Sequence, residues 1–219
     1  MRLLKHLSPL QQLLVASMSF IVVMIICRIF YSGSLRYIFI LWNLFLAWVP
    51  LRVSIHLMKE KSAWKSFGFL LVWLLFFPNA LYITTDLVHL GGNTDVPVWY
   101  DAILLMMAAI TGLVMAFASL FNVELFLARK MSLQIVNTLA VIALFLGSFG
   151  VYLGRFLRWN SWDIVSNPLD LLQQIAIRFL FPFDYYRTWA VTFLLTVFFS
   201  LLYFGMRNLP AHRHRITAR

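Results

Sequence analysis

The sequence predicts an all-α fold, a polytopic transmembrane bundle of six spans in one domain over residues 1–219, with a short amphipathic helix on its outer surface. Three observations carry this expectation. Hydrophobic residues make up 62% of the chain and charged residues only 12%, against about 25% charged in a soluble domain. Long uncharged runs recur along the chain. Basic residues gather between alternate runs, the pattern that orients a chain threaded through a bilayer.

A spanning helix needs about 20 mostly apolar residues, because the hydrocarbon core is about 30 Å thick and a helix rises about 1.5 Å per residue. Leu7 to Cys27, Ser66 to Thr85, Ala102 to Val123, Met131 to Gly154 and Thr188 to Met206 meet this length. Tyr37 to Leu51 has only 15 uncharged residues. It is expected to span all the same, with Arg36 and Arg52 extending toward the two interfaces. The spans fall near 8–31, 36–57, 65–85, 101–125, 131–154 and 187–206. Arg2 and Lys5 ahead of the first run imitate a signal peptide, but no small-x-small cleavage site follows, so a retained span is expected.

With both termini inside, 12 of the 18 basic residues fall on the inner side, among them Arg2, Lys5, Arg213, Arg215, Arg219 and every lysine. The six aspartates, Asp95 included, fall outside with Arg28, Arg36, Arg155, Arg158, Arg178 and Arg187. The net charge of +10 therefore reads as topology in a cell membrane rather than as a nucleic-acid surface. Cys27 is the sole cysteine, which excludes an intrachain disulfide and any cysteine-built metal cluster.

Two outer segments carry the informative residues. In the first, Pro78 and Asn79 interrupt the third span, since proline removes an amide and frees carbonyls for other partners. Asp86 and His89 follow at a spacing of three, Gly91, Gly92, Asn93 and Pro97 mark a turn, and Asp101 closes the loop after Trp99 and Tyr100. The second segment opens with Arg155, Arg158, Trp159, Asn160, Trp162 and Asp163, which share neighbouring helical turns if the fifth span continues outward. Two guanidinium groups beside indole rings suit an anion; equally, Asp163 pairs with one of them and the tryptophans anchor at the interface. Further on, Asp170, Gln174 and Arg178 recur every four residues among leucines and isoleucines, the pattern of an amphipathic helix at the membrane surface.

Gly147, Gly150 and Gly154 lie on one helical face and allow a neighbouring backbone close. Within the spans, Asn43 reads as interhelical glue and Glu124 as a side chain reaching the inner interface. No P-loop or dinucleotide glycine motif appears, and a Ser161, His89 and aspartate triad can be written down without any spacing that implies it. No cofactor is implied. His89 is the one histidine placed outside, so a multi-histidine zinc site there is excluded within one chain, whereas an oxygen-rich cation site stays open.

The stretches FFPNALYITTDLVHL, WYD at Trp99 to Asp101 and SFGVYLGRFLRWNSWD at Ser148 to Asp163 resemble the membrane-protein family known as domain of unknown function 1361. The resemblance runs from the second span through the sixth. It implies a prokaryotic integral membrane protein and brings no substrate or catalytic residue with it.

Three functions fit these residues. The first is an outward-facing polar pocket for an anionic or lipid-linked ligand, with or without turnover, walled by Asn79, Asp86, His89, Asp101, Arg155, Arg158, Asn160 and Asp163. In that pocket the arginines hold an anionic head while the acids and His89 hold a cation or move protons. A small transporter or channel would instead show a polar route connecting both faces, with Asn43 and the Pro78 break along it. An accessory membrane protein would show outer charges paired with each other around a dry core. The first reading expects the two outer motifs to meet in one cavity, Asp86, His89 and Asp101 facing Arg155, Arg158 or Asp163.

Overall fold

The computed structural model describes residues 8–91 and 96–208. The expectations placed on Arg2, Lys5, Gly92, Asn93, Asp95, Arg213, Arg215 and Arg219 lie outside the described residues. The described residues form helices joined by short connections: α1 Pro9–Ser32, α2 Phe39–Leu57, α3 Ala63–Tyr82, a 3-10 helix Ile83–His89, α4 Val98–Leu127, α5 Leu133–Leu157, the short α6 Asp163–Ser166, α7 Pro168–Leu180 and α8 Tyr186–Arg207. Among the described residues six helices are long and apolar enough to cross a membrane. This is a helical membrane protein.

Local chemistry sets the ends of these helices. Ser8 caps α1 through a reciprocal box with Gln11, Pro9 occupies the first turn, and Gly33 ends the helix at φ 63, where a side chain would be strained. The short uncharged run of α2 becomes a 19-residue helix because it continues through Arg52 and His56. Arg52 stays exposed and lies 5.2 Å from the centroid of the Trp48 ring.

α4 is the axis of the bundle, with 61% of its most apolar window buried against 22% for α8. It packs on α1, α2 and α3, while α5 joins α3 to α8. Ile21, Ile40, Leu44, Phe77, Leu81, Leu104 and Leu144 interlock at the centre, fully buried. Phe30, Leu194 and Leu201 sit on the outside, where hydrocarbon rather than water is their solvent.

The glycine stripe of α5 receives α3. A β-carbon on Gly147 would stand 2.8 Å from Leu81 Cδ1, and one on Gly150 only 2.6 Å from Pro78 Cγ. The Pro78 ring thus seats in the groove that Gly150 leaves, so the two helices approach closely there, and the expected interruption at Pro78 and Asn79 does not occur, since α3 runs on through both to Tyr82.

Two expectations are corrected by this packing. Glu124 is not a free side chain extending toward solvent; it is 3% exposed, and Arg207 donates to its Oε1 at 3.0 Å while also reaching Asn137. A carboxylate held in the bundle needs that partner, because an unpaired charge there is expensive. Arg178 was expected on the polar face of α7, and it is instead buried, donating to the carbonyl and Oε1 of Gln174 and stacking 4.8 Å from the Tyr185 centroid. α7 itself forms where its periodicity places it and docks on α5 through Leu171 and Ile175, against Phe149 and Leu153.

Candidate functional site

α3 runs through Pro78 to Tyr82 and leads directly to the first cluster. Past Tyr82 the chain tightens into the 3-10 helix, in which residues three apart eclipse, so Asp86 and His89 present to the same neighbour. That neighbour is Arg155 of α5. Its Nη2 donates to Asp86 Oδ1, its Nη1 to His89 Nε2 at 2.9 Å, and its Nε to the Thr85 hydroxyl at 2.9 Å. Guanidinium only donates, so His89 accepts here through a neutral Nε2. The Arg155 guanidinium also lies 4.2 Å from the Tyr82 ring centroid.

Asp86 is 1% exposed, and its second oxygen accepts from Asn43 Nδ2 of α2 at 2.9 Å. The His89 carbonyl accepts from the Tyr37 hydroxyl at 2.9 Å and from Arg36 at 3.3 Å. The Asp86–Arg155 pair therefore ties α2, the 3-10 helix and α5 together. Asn43 is more than interhelical glue: it is the neutral arm by which α2 holds a buried carboxylate.

Asp101 does not face this cluster. It forms a fork with Arg28 of α1, Nε to Oδ1 at 2.8 Å and Nη2 to Oδ2 at 3.2 Å, with side-chain exposures of 1% and 5%. Arg28 Nη1 is buried without a hydrogen-bond partner among the described residues, and the guanidinium lies 4.6 Å from the Tyr37 ring centroid. Burial above all, with the Asp101 charge adding to it, pushes the Tyr37 phenol above its ordinary pKa.

The second motif does not continue the helix. α5 stops at Leu157, Arg158 turns into the left-handed region at φ 61, and the Trp159 amide returns to the Leu153 carbonyl. Arg158 is consequently exposed, whereas Arg155 is half-buried. Asp163 pairs with neither arginine: it accepts from the Asn160 amide at 2.6 Å and the Ser166 hydroxyl at 3.1 Å, closing the turn that starts α6. Ser161 and His89 do not form a triad, since Ser161 donates to the Leu75 carbonyl at 3.2 Å and accepts from Asn79 at 2.8 Å. Leu75 lies just before Pro78, and hydroxyl bonds of this kind satisfy carbonyls in the turn before a proline within a helix.

Beside the Arg155 cluster lies a cavity of about 590 Å³ bounded by α2, α3, α5, the loop at 159–162 and α7. That volume lies within the range of about 300–1,000 Å³ usual for small-molecule sites. Leu71, Leu74, Leu146, Phe149 and Ile175 give it apolar walls. Trp42, Tyr82, Trp159 and Trp162 line it together with Asn43, Asn79, Asn160 and Ser161. The Trp42 and Trp162 rings meet edge to face at 6.4 Å. Among the described lining residues none is Asp, Glu, Lys, Arg or His.

Of the residues expected in one pocket, Asn79 and Asn160 line this cavity. Asp86, His89 and Arg155 form the network next to it, joined to its wall by Asn43 and Tyr82. Asp101, Arg158 and Asp163 serve elsewhere. Asn43, Ser161 and the facing tryptophans are site residues that sequence reasoning left out of the pocket. No group of three or more His, Cys, Asp or Glu able to hold a metal occurs among the described residues.

The model of the family described as "Protein of unknown function (DUF1361)" matches residues 42–202. That interval contains the cavity, the Asp86–Arg155 pair and α7. No curated protein and no solved structure matches the chain.

Proposed function

Because the chain belongs to the DUF1361 family, whose description assigns no activity, we propose from its own geometry that it binds a membrane amphiphile, a lipid or lipid-linked molecule. The apolar chain lies against Leu74, Leu146 and Ile175, and the polar end lies against the asparagines. The single observation carrying this reading is the mixed lining of the 590 Å³ cavity, apolar over most of its wall and amide-bearing on the rest. Arg155 and Asp86 then act as a brace that holds α5 and the 3-10 helix around the ligand.

Native mass spectrometry of the detergent-purified protein tests it. The wild type is expected to retain a co-purified amphiphile, and Ile175→Trp, which fills the cavity from α7, to lose it while keeping its melting temperature within a few degrees. Equal retention by both proteins would put the lipid on the general hydrocarbon-facing surface instead.

The protein sits in a prokaryotic cytoplasmic membrane with both termini inside, the bilayer is its immediate partner, and the cavity end faces outward with α7 at the outer interface. The basic residues between alternate spans support this orientation. In a Cys27→Ser background, cysteine at position 95 is expected to react with an impermeant maleimide in intact cells. Cysteine at position 213 should react only after lysis, and the opposite pattern inverts the topology.

A second reading has an observation of its own. Asp86 accepts on both oxygens and Arg155 donates to three partners, so the outer charges satisfy one another. An accessory protein whose polar cluster only stabilises the bundle predicts this pairing too, and loss of lipid retention on filling the cavity separates the two.

A further inference from the structure

We propose that the head of the bound amphiphile is uncharged and hydroxyl-rich, a sugar, which makes the ligand a glycolipid. The inference rests on the cavity reading above and adds the chemistry of the head.

Charge is the first argument. A phosphate or carboxylate taken out of water needs a cation with donors to spare, yet among the described residues the cavity is lined by no charged side chain. The two arginines nearest in sequence do not supply one. Arg155 is committed to Asp86, His89 and Thr85, and Arg158 caps α5 with its side chain exposed and outside the cavity lining.

Hydrogen-bonding capacity is the second. Asn43 and Asn79 each donate through Nδ2 to protein acceptors, so each keeps a carbonyl oxygen as an acceptor, and Ser161 and Asn160 stand on the same wall. Such groups match hydroxyls, which donate and accept at one atom. A purely hydrocarbon ligand would strip these amides of water and return no hydrogen bond to the groups left unsatisfied.

Aromatic geometry is the third. Sugar rings present C–H faces that pack on indole, and Trp42 and Trp162 meet at an interplanar angle of 60°, so that they form a corner rather than a single flat stack. Trp159 and Tyr82 line the same cavity. Three tryptophans beside three asparagines, without a charge among them, make a surface for an uncharged ring with hydroxyls at its edge.

The test uses the full-length protein in a sugar-free, zwitterionic detergent. Monoglucosyl diacylglycerol, phosphatidylglycerol and diacylglycerol with identical acyl chains compete for it, read by native mass spectrometry. Retention of the glucolipid at least tenfold above both others is expected, with Trp162→Ala or Asn160→Ala, both at exposed positions, lowering that preference without removing chain binding. Preference for phosphatidylglycerol would overturn the proposal, as would a preference that both substitutions leave unchanged. Equal retention of all three, abolished by Ile175→Trp, would overturn the sugar assignment and leave the cavity reading standing. Retention of none would defeat both. Displacement of the glucolipid by glucose alone at equal concentration would replace the lipid by a free sugar.

Discussion

Asp101→Ala is expected to lower the stability of the folded protein by about 3–5 kcal/mol, the usual cost of removing one member of a buried ion pair. The carboxylate is the fork on which both Nε and Nη2 of Arg28 rest, and Arg28 is 2% exposed with Nη1 already lacking a hydrogen-bond partner among the described residues. Without Asp101 the guanidinium keeps, among the described residues, the Tyr37 ring, whose attraction is worth about 2 kcal/mol when desolvated. Thermal unfolding in detergent measures the loss. The paired replacement Arg28→Met with Asp101→Leu should recover most of it, because apolar groups of similar volume substitute for a buried pair at little cost. A single substitution that changes nothing would mean that α1 and α4 are not joined there.

Arg155→Ala carries the second large effect, again about 3–5 kcal/mol. It removes three donors at once and leaves Asp86, 1% exposed, with Asn43 as its remaining side-chain partner. Arg155→Lys should recover less than half, since an ammonium cannot reproduce the planar fork that reaches Thr85, His89 and Asp86 together. Asn43→Ala should cost about 1–3 kcal/mol, the penalty for one orphaned buried acceptor. If Arg155 and Asn43 act through the same carboxylate, the double substitution costs less than the sum of the two. Strict additivity would contradict the network. Should lipid retention fall in Arg155→Ala more than stability alone explains, the brace also shapes the cavity wall through Tyr82.

The membrane fold is legible in the sequence because it depends on lengths and on charge counts. Even α2, short by its uncharged run, follows from the freedom of Arg52 to stand beside Trp48 at its end. The pairing of side chains is less legible. Asp86 and His89 at a spacing of three, and Arg155 after the glycine stripe, point to each other once the glycines of α5 are known to face α3. Nothing local reveals that Asp101 belongs to Arg28, because the two are 73 residues apart and their partnership is decided by how α1 packs on α4.

The fifth span misleads for a definable reason. Helical spacing groups Arg155, Arg158, Trp159 and Trp162 only while the helix lasts, and Arg158 ends it without the glycine that marks a left-handed cap. Breaking the helix there sends Trp159 to Trp162 back over α3, where Ser161 meets Asn79 and Leu75 beside Pro78. The cavity is a product of that reversal. Its amide-rich lining joins residues from α2, α3 and the loop, none of which forms a motif alone.

Photolabelling locates the ligand most directly. A lipid carrying a diazirine near the end of its acyl chain, incorporated with the full-length protein into vesicles and activated by light, is expected to mark peptides containing Leu74, Leu146 and Ile175 above all others. An excess of unlabelled lipid should erase that pattern. Labels spread over the outward-facing residues of α1, α4 and α8, and insensitive to competition, would contradict a lipid-binding cavity.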